Sequence, residues 1–423
     1  MQNFRGMIMA QFLVLAVGLV SSGPAQAAHP VVSPFDEPLA GTVSGNPGGP
    51  SQGGARLTPG EIAVILQAGA DHIVAQQCPD GGFGWPHDDC GTTYHNITAP
   101  ILLGVLRAWE ETADANHLAA AVAGGDFELT SQYSNGEPRF GIQTPFFFMQ
   151  LSAATGDSTY TDFASQEFFD ALTAGTYGPN DWDTAGLIQA VFTYRTGTWV
   201  NLRPWEFCNV VAAAAALGNP GQADAFAQAA LDGFATLDNT DPANVYSDII
   251  GIAGGIMALA EGGVTTFPAI SAPDHPLVNG VASLEDLVAV LVSLQNTDGS
   301  WYWHSNLPSP AAGDEDVQTT AYAVMALILA DPLTTADLGG PIWRGRDWLA
   351  SLQLPSGGFP DAPGVTSENT EVEGEALLAI GNSEPYRSPD DRAGIPALGT
   401  QGALTLAFLM ALAGLALVWR RMG

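Results

Sequence analysis

Apolar residues recur along this chain at three- and four-residue spacing, in two kinds of run that alternate. Runs such as "LEDLVAVLVSLQ" and "RGRDWLASLQ" have one apolar stripe and a charged face, which predicts surface helices. Others are apolar nearly all round and predict buried helices: "NITAPILLGVLRAW", "GIQTPFFFMQLSAATG", "DWDTAGLIQAVFTYRTG", "YSDIIGIAGGIMALAEG", "DVQTTAYAVMALILA" and "NTEVEGEALLAIG". Each surface run stops at a Gly-rich turn, and a loop then leads to a buried run. Four buried runs open at Thr98-Ala99, Thr144-Pro145, Thr184-Ala185 and Thr320-Ala321, with Asn or Asp nearby to cap them.

The turns between the two kinds of run repeat. A Gln, three residues, a Gly, a small residue and an aromatic recur at Gln77…Gly81-Gly82-Phe83, Gln295…Gly299-Ser300-Trp301 and Gln353…Gly357-Gly358-Phe359. A looser copy is Gln132…Gly136…Phe140, and copies near Tyr177–Trp182 and Leu237–Pro242 keep the punctuation but lack the Gln. Copies at 77 and 132, and at 295 and 353, stand 55 and 58 residues apart, a period typical of repeat architectures. The Gln is placed to bridge backbone groups at the turn, the Gly to allow a left-handed bend, and the aromatic to pack between neighbouring hairpins. Closed side by side, about six such hairpins make an all-α fold, an α/α toroid with inner and outer helices. A further apolar stretch at 197–217 leaves the count at six or seven.

Here the chain resembles the terpenoid cyclase and protein prenyltransferase superfamily, whose QW repeats look like "QNTDGSW" followed by "QTTAYAVMAL". The resemblance covers roughly residues 58–382 and implies the toroid. It does not extend to the chemistry. Against the acidic motif of squalene–hopene cyclases, aligned on Thr320-Ala321, only Asp316 falls on an acid position; Gln318 and Thr319 replace the other two acids. The prenyltransferase zinc set needs a Cys in a late repeat, and none follows Cys208. The Cys-Gly-Glu-Gln motif of complement-type thioester domains, a recognition module of this fold, is also missing. The leading reading is therefore a toroid that binds a ligand or partner at the ring mouth. The alternative is a carbohydrate-active enzyme, a polysaccharide lyase or inverting hydrolase, and an isoprenoid cyclase comes third.

Composition narrows the partners. The 423 residues carry 44 acidic and 12 basic groups, a formal charge of −32, which excludes nucleic acid because phosphates are repelled. No cofactor and no metal centre are expected; Ca2+ is the one ion that such acidic faces suit. Residues 1–27 read as a signal peptide, with Arg5, an apolar stretch and Ala25-Gln26-Ala27 before the cleavage point. Residues 28–57 form a Pro/Gly/Ser-rich linker, 58–385 the toroid, and 386–397 a second linker. Residues 398–419 are long and apolar enough to span a membrane, and 420–423 form a basic cytoplasmic tail. Ile395-Pro396-Ala397-Leu398, the apolar run and the tail resemble IPTL- and PEP-type sorting signals, which implies an exosortase-like processing enzyme. A permanent single-pass anchor is the other reading. Both place the protein outside the cytoplasm, held by its C-terminus.

Two turn loops concentrate groups suited to a ligand, glycan above all. The first holds Trp85, His87, Asp88, Asp89, Tyr94 and His95. The second holds Trp301, Tyr302, Trp303, His304, Asp314, Asp316 and Gln318. An inverting hydrolase needs carboxyl groups about 6.5–9.5 Å apart. Asp316 with Asp88 or Asp89 is the candidate pair, and His95 the candidate base of a lyase. Glu206, Glu368, Glu371, Glu373 and Glu375 add acids of unassigned orientation. Cys78 and Cys90 are expected to form a disulfide that contributes about 3 kcal/mol, and Cys208 to be a buried free thiol.

Overall fold

A computed structural model of the protein describes residues 57–85, 90–130, 143–170, 203–239, 247–305, 315–384 and 386, all within the larger of two compact units, Gly41–Gly423. The signal peptide, nearly all of both linkers, the apolar C-terminal run, His87, Asp88, Asp89 and Asp314 lie outside the described residues. So do the loose Gln132 copy and the helix expected near Asp181–Gly197. Among the described residues no helix is long and apolar enough to cross a membrane, and the β-structure is limited to isolated bridges.

Among the described residues twelve α-helices take outer or inner positions. The outer ones are α1 (Pro59–Gln76), α3 (Ala115–Thr130), α5 (Thr159–Phe163), α7 (Pro220–Gly233), α9 (Leu284–Ser293) and α11 (Gly339–Ser351). A π-helical stretch, Ala164–Asp170, continues α5. The inner ones are α2 (His95–Thr112), α4 (Thr144–Thr155), α6 (Val210–Ala216), α8 (Asp248–Glu261), α10 (Val317–Ala330) and α12 (Thr370–Asn382). Side-chain chemistry sets their starts. Thr58 and Glu61 form a capping box on α1, while Ser247, Ser283, Asp316 and Asn369 cap α8, α9, α10 and α12. The outer helix α9 buries only the stripe Leu284, Leu287, Val288 and Leu291, whereas α8 is buried from Asp248 through Leu259.

Inner helices pack in the order α4, α2, α12, α10, α8, so the last hairpin lies against the first. At this seam α2 and α12 approach so closely that a Cβ on Gly104 would collide with the Gly374 carbonyl. Short α6 packs on α4 and α8, and a 3-10 turn, Pro204–Phe207, lies along α8. Of the apolar stretch at 197–217, Val210–Ala216 forms this short element, and the choice between six and seven hairpins turns on residues 171–202, which lie outside the described residues.

The repeated Gln works the same way at all three clasps. Its Nε2 donates to its own turn Gly and to a carbonyl of the next outer helix. Gln77 reaches Gly81 and Ala120 (2.8 and 2.9 Å), Gln295 reaches Gly299 and Pro341 (3.0 and 2.9 Å), and Gln353 reaches Gly357 and Ile65 (both 2.9 Å). The third pair closes the ring, because Ile65 is on α1. The turn glycines hold φ of 95°, 107° and 99°. The aromatics Phe83, Trp301 and Phe359 are fully buried behind them.

Candidate functional site

The clasps deliver the chain to the starts of the inner helices, and polar side chains gather there. Asp316 precedes α10; its Oδ1 accepts the Thr319 N–H at 2.6 Å. Burial, with Asp361 nearby, raises its carboxyl to about 6. On α12, Glu371 and Glu375 sit one turn apart on one face, 2% and 3% exposed. Burial first of all, then the charge of Glu375 acting on Glu371 and of Asp316 acting on Glu375, holds both carboxyls well above the ordinary range. Gln318 and Tyr322 of α10 approach Glu375 without closing hydrogen bonds of good geometry, so among the described residues both Glu375 oxygens and Glu371 Oε2 are buried without a hydrogen-bond partner. From the other side of the ring, Gln143 donates to the Tyr322 hydroxyl at 3.4 Å. Cys208, free and buried, lies in the field of Glu261 and Glu375, and burial first of all pushes its thiol far up. The result is a cluster of buried carboxyl groups with raised pKa, a phenol and two amides inside the ring.

The other residues singled out by sequence do not join this cluster. His95 opens α2 with its ring stacked on Phe127 at 4.4 Å and its Nδ1 3.2 Å from Glu128 Oε2. Among the described residues no contact brings it to Asp316. Trp301 is 0% exposed and its Nε1 donates to the Leu291 carbonyl at 2.9 Å. It is therefore a packing residue and cannot line a mouth. Tyr302 and Trp303 are half-buried, as is Trp85, whose buried Nε1 has no hydrogen-bond partner among the described residues. Cys78 and Cys90 are joined by a disulfide with Cα atoms 5.4 Å apart.

His304 belongs to a second constellation that sequence reasoning missed. Its Nδ1 lies 3.4 Å from Asp248 Oδ1, His275 Nε2 lies 2.9 Å from Oδ2, and the Ser305 amide and hydroxyl both donate to the same carboxylate. Burial opposes ionisation of Asp248, but His275, His304 and Ser305 overcome it and hold the carboxyl far below its ordinary value. Serine and histidine both bind the acid and not each other, so this is not a nucleophilic triad. It is a clamp that pins the Trp301–Ser305 loop to the start of α8. Asp248→Asn is expected to cost about 2 kcal/mol by losing charge-assisted bonds, read as a lower urea midpoint with faster exchange of the Ser305 amide.

No protein-family model and no curated protein matches the chain. Solved structures do. The type II terpene cyclase MstE from Scytonema aligns with a TM-score of 0.50 at 14% identity, over 78% of this chain and 100% of that one. The fold is an α/α toroid. A polysaccharide lyase aligns at 12% identity and TM-score 0.47, over 78% of this chain and 98% of its own. A possible GH105 member from Salmonella enterica aligns at 11% and 0.45, over 79% and 96%. At these identities the likeness is one of fold, and any activity must be argued from the side chains.

The signal for the interior acids was present in the sequence. Glu371 and Glu375 stand four apart in a helix that is otherwise small or apolar apart from Glu373, so one of its faces carries acids into the buried layer.

Proposed function

We propose that this protein is an exported toroid, tethered by its C-terminal apolar run, that binds a neutral, hydroxyl-rich ligand of the glycan class inside the ring. The observation that carries the reading is the set of buried carboxyl oxygens on Glu371 and Glu375 without partners among the described residues. Buried polar atoms are almost always satisfied, and orphans in a folded interior point to a ligand or bound solvent. Protonated carboxyls both donate and accept, as sugar hydroxyls do. Tyr322, Gln318 and Gln143 add donors of fixed direction. A polyuronate fits poorly, because the chain has a formal charge of −32.

Calorimetry against neutral hexasaccharides of glucose, xylose and mannose tests this. At least one is expected to bind, and Glu375→Gln to weaken it at least tenfold without lowering the melting temperature. Binding unchanged in that variant, or no binding by any sugar, would refute the proposal. Glycan cleavage is the second reading, favoured by a neutral carboxyl next to a second acid, which is what a general acid requires. Release of reducing ends that disappears in Glu375→Gln and Asp316→Asn would establish it.

A further inference from the structure

The three clasps are built on one plan, so their equivalent positions can be compared. Behind each turn glycine stands a carbonyl of the next outer helix: Ala123, Arg344 or Ala68. Four residues further along those helices come Phe127, Trp348 and, at the seam, His72. Four residues after the inner-helix cap come Thr98, Thr320 and, at the seam, Glu373. Thr98 and Thr320 accept the amide of the clasp aromatic, from Phe83 at 3.3 Å and from Trp301 at 3.0 Å. At the seam the Phe359 amide points to Glu373 Oε1 at 3.4 Å instead. Immediately before the cap position come Thr93, Glu315 and Glu368. Where the first clasp has Phe, Thr and Thr, the seam has His, Glu and Glu.

These three seam residues converge. His72 Nε2 lies 3.2 Å from Glu368 Oε2 and 3.5 Å from Glu373 Oε1. A tetrahedral ion with bonds of about 2.1 Å spaces its ligands by roughly 3.4 Å. The space between them is open because residue 358 is glycine. A Cβ there would stand 2.5 Å from Glu373 Oε1 and 2.8 Å from both Glu368 Oε1 and His72 Nε2. At the first clasp the nearest atoms to a Cβ on Gly82 would be carbons of Phe127 and Thr93. Outer partners are in place as well: the Ser356 hydroxyl donates to Glu368, and Phe359 N–H steadies Glu373. The Gln76 amide stands 2.6 Å from His72 Nε2 and must turn aside for that nitrogen to ligate. His72 and Glu368 are each 17% exposed, which leaves a path for an ion and for a water as fourth ligand.

We propose that His72, Glu368 and Glu373 bind one divalent transition metal ion, zinc being the best fit to an imidazole and two carboxylates. The ion staples the first outer helix to the last hairpin and so locks the ring shut. The imidazole argues against calcium, which prefers oxygen throughout.

Full-length protein stripped with chelator and titrated with Co2+ and Zn2+ tests this. One equivalent is expected to bind in the presence of excess Ca2+, with a tetrahedral Co2+ absorption band that Zn2+ abolishes. Zinc should raise the melting temperature by several degrees. His72→Phe and Glu373→Thr install the residues of the first clasp, so both variants should fold while binding Zn2+ at least 100-fold more weakly and losing the thermal rise. Saturable binding that survives in both variants would overturn the assignment, as would wild-type protein that takes up no Co2+ or Zn2+ against excess Ca2+.

Discussion

Replacing Gly357 by Ala is expected to lower the stability of the ring by about 3–4 kcal/mol. Two effects add. The residue holds φ of +99°, where an L side chain is strained. Its Cβ would also be driven into the Ala68 carbonyl of α1, which has no room to retreat because the helix is held by Gln353 through Ile65. Gly263 provides the control. It has φ of +66° with no atom near the Cβ position, so Gly263→Ala should cost about 1 kcal/mol, the backbone part alone. The difference between the two urea midpoints measures the close approach at the seam. Equal losses would show that the clasp does not grip.

Stability is also expected to fall as pH rises from 5 to 8. Asp316 and the Glu371–Glu375 pair have folded-state carboxyls raised above their ordinary 3.8 and 4.5. A raised pKa means that the folded state binds more protons. The contribution is complete below the ordinary value and is lost as pH climbs through the folded one. For Asp316 that window runs from 3.8 to about 6 and is worth roughly 3 kcal/mol. The glutamate pair extends the decline in the same direction above 4.5. Asp248 acts oppositely: its lowered pKa gives a contribution that is present above 3.8 and lost as pH falls below it. Melting temperature should therefore peak near pH 4–5. Glu371→Gln with Glu375→Gln removes two titrating groups and should flatten the decline, leaving the variant more stable than wild type at pH 8. A melting temperature that rises between pH 5 and 8 would mean the interior acids are ionised in the native ring.

Much of this architecture could be read from spacing alone. Gln77, Gln295 and Gln353 each precede a Gly by four residues and an aromatic by six, and that interval is what their two hydrogen bonds need. What the same pattern concealed was direction. Trp301 looked like a ligand platform because aromatic and acidic residues surround it in sequence, yet the repeat that it belongs to sends it inward. His304 and Asp248 are 56 positions apart and share no motif, so their contact depends on tertiary closure. His72 was passed over because a lone histidine in a surface helix carries no signal. It stands out only once the clasps are superposed and its counterparts prove to be Phe127 and Trp348.

The bond from Gln353 to Ile65 spans 288 residues of chain. No ring of this kind can be completed until its final hairpin has been synthesised and delivered. Until then the face of α1 at Gly69 lacks Leu377 of α12 to cover it, and a nascent molecule exposes a greasy flank. Contacts this distant in sequence also form slowly, since a long loop must be ordered before they return any energy. The early, local hairpins are consequently the fast-folding part of the molecule, and the late meeting of its two ends is the step at which aggregation competes.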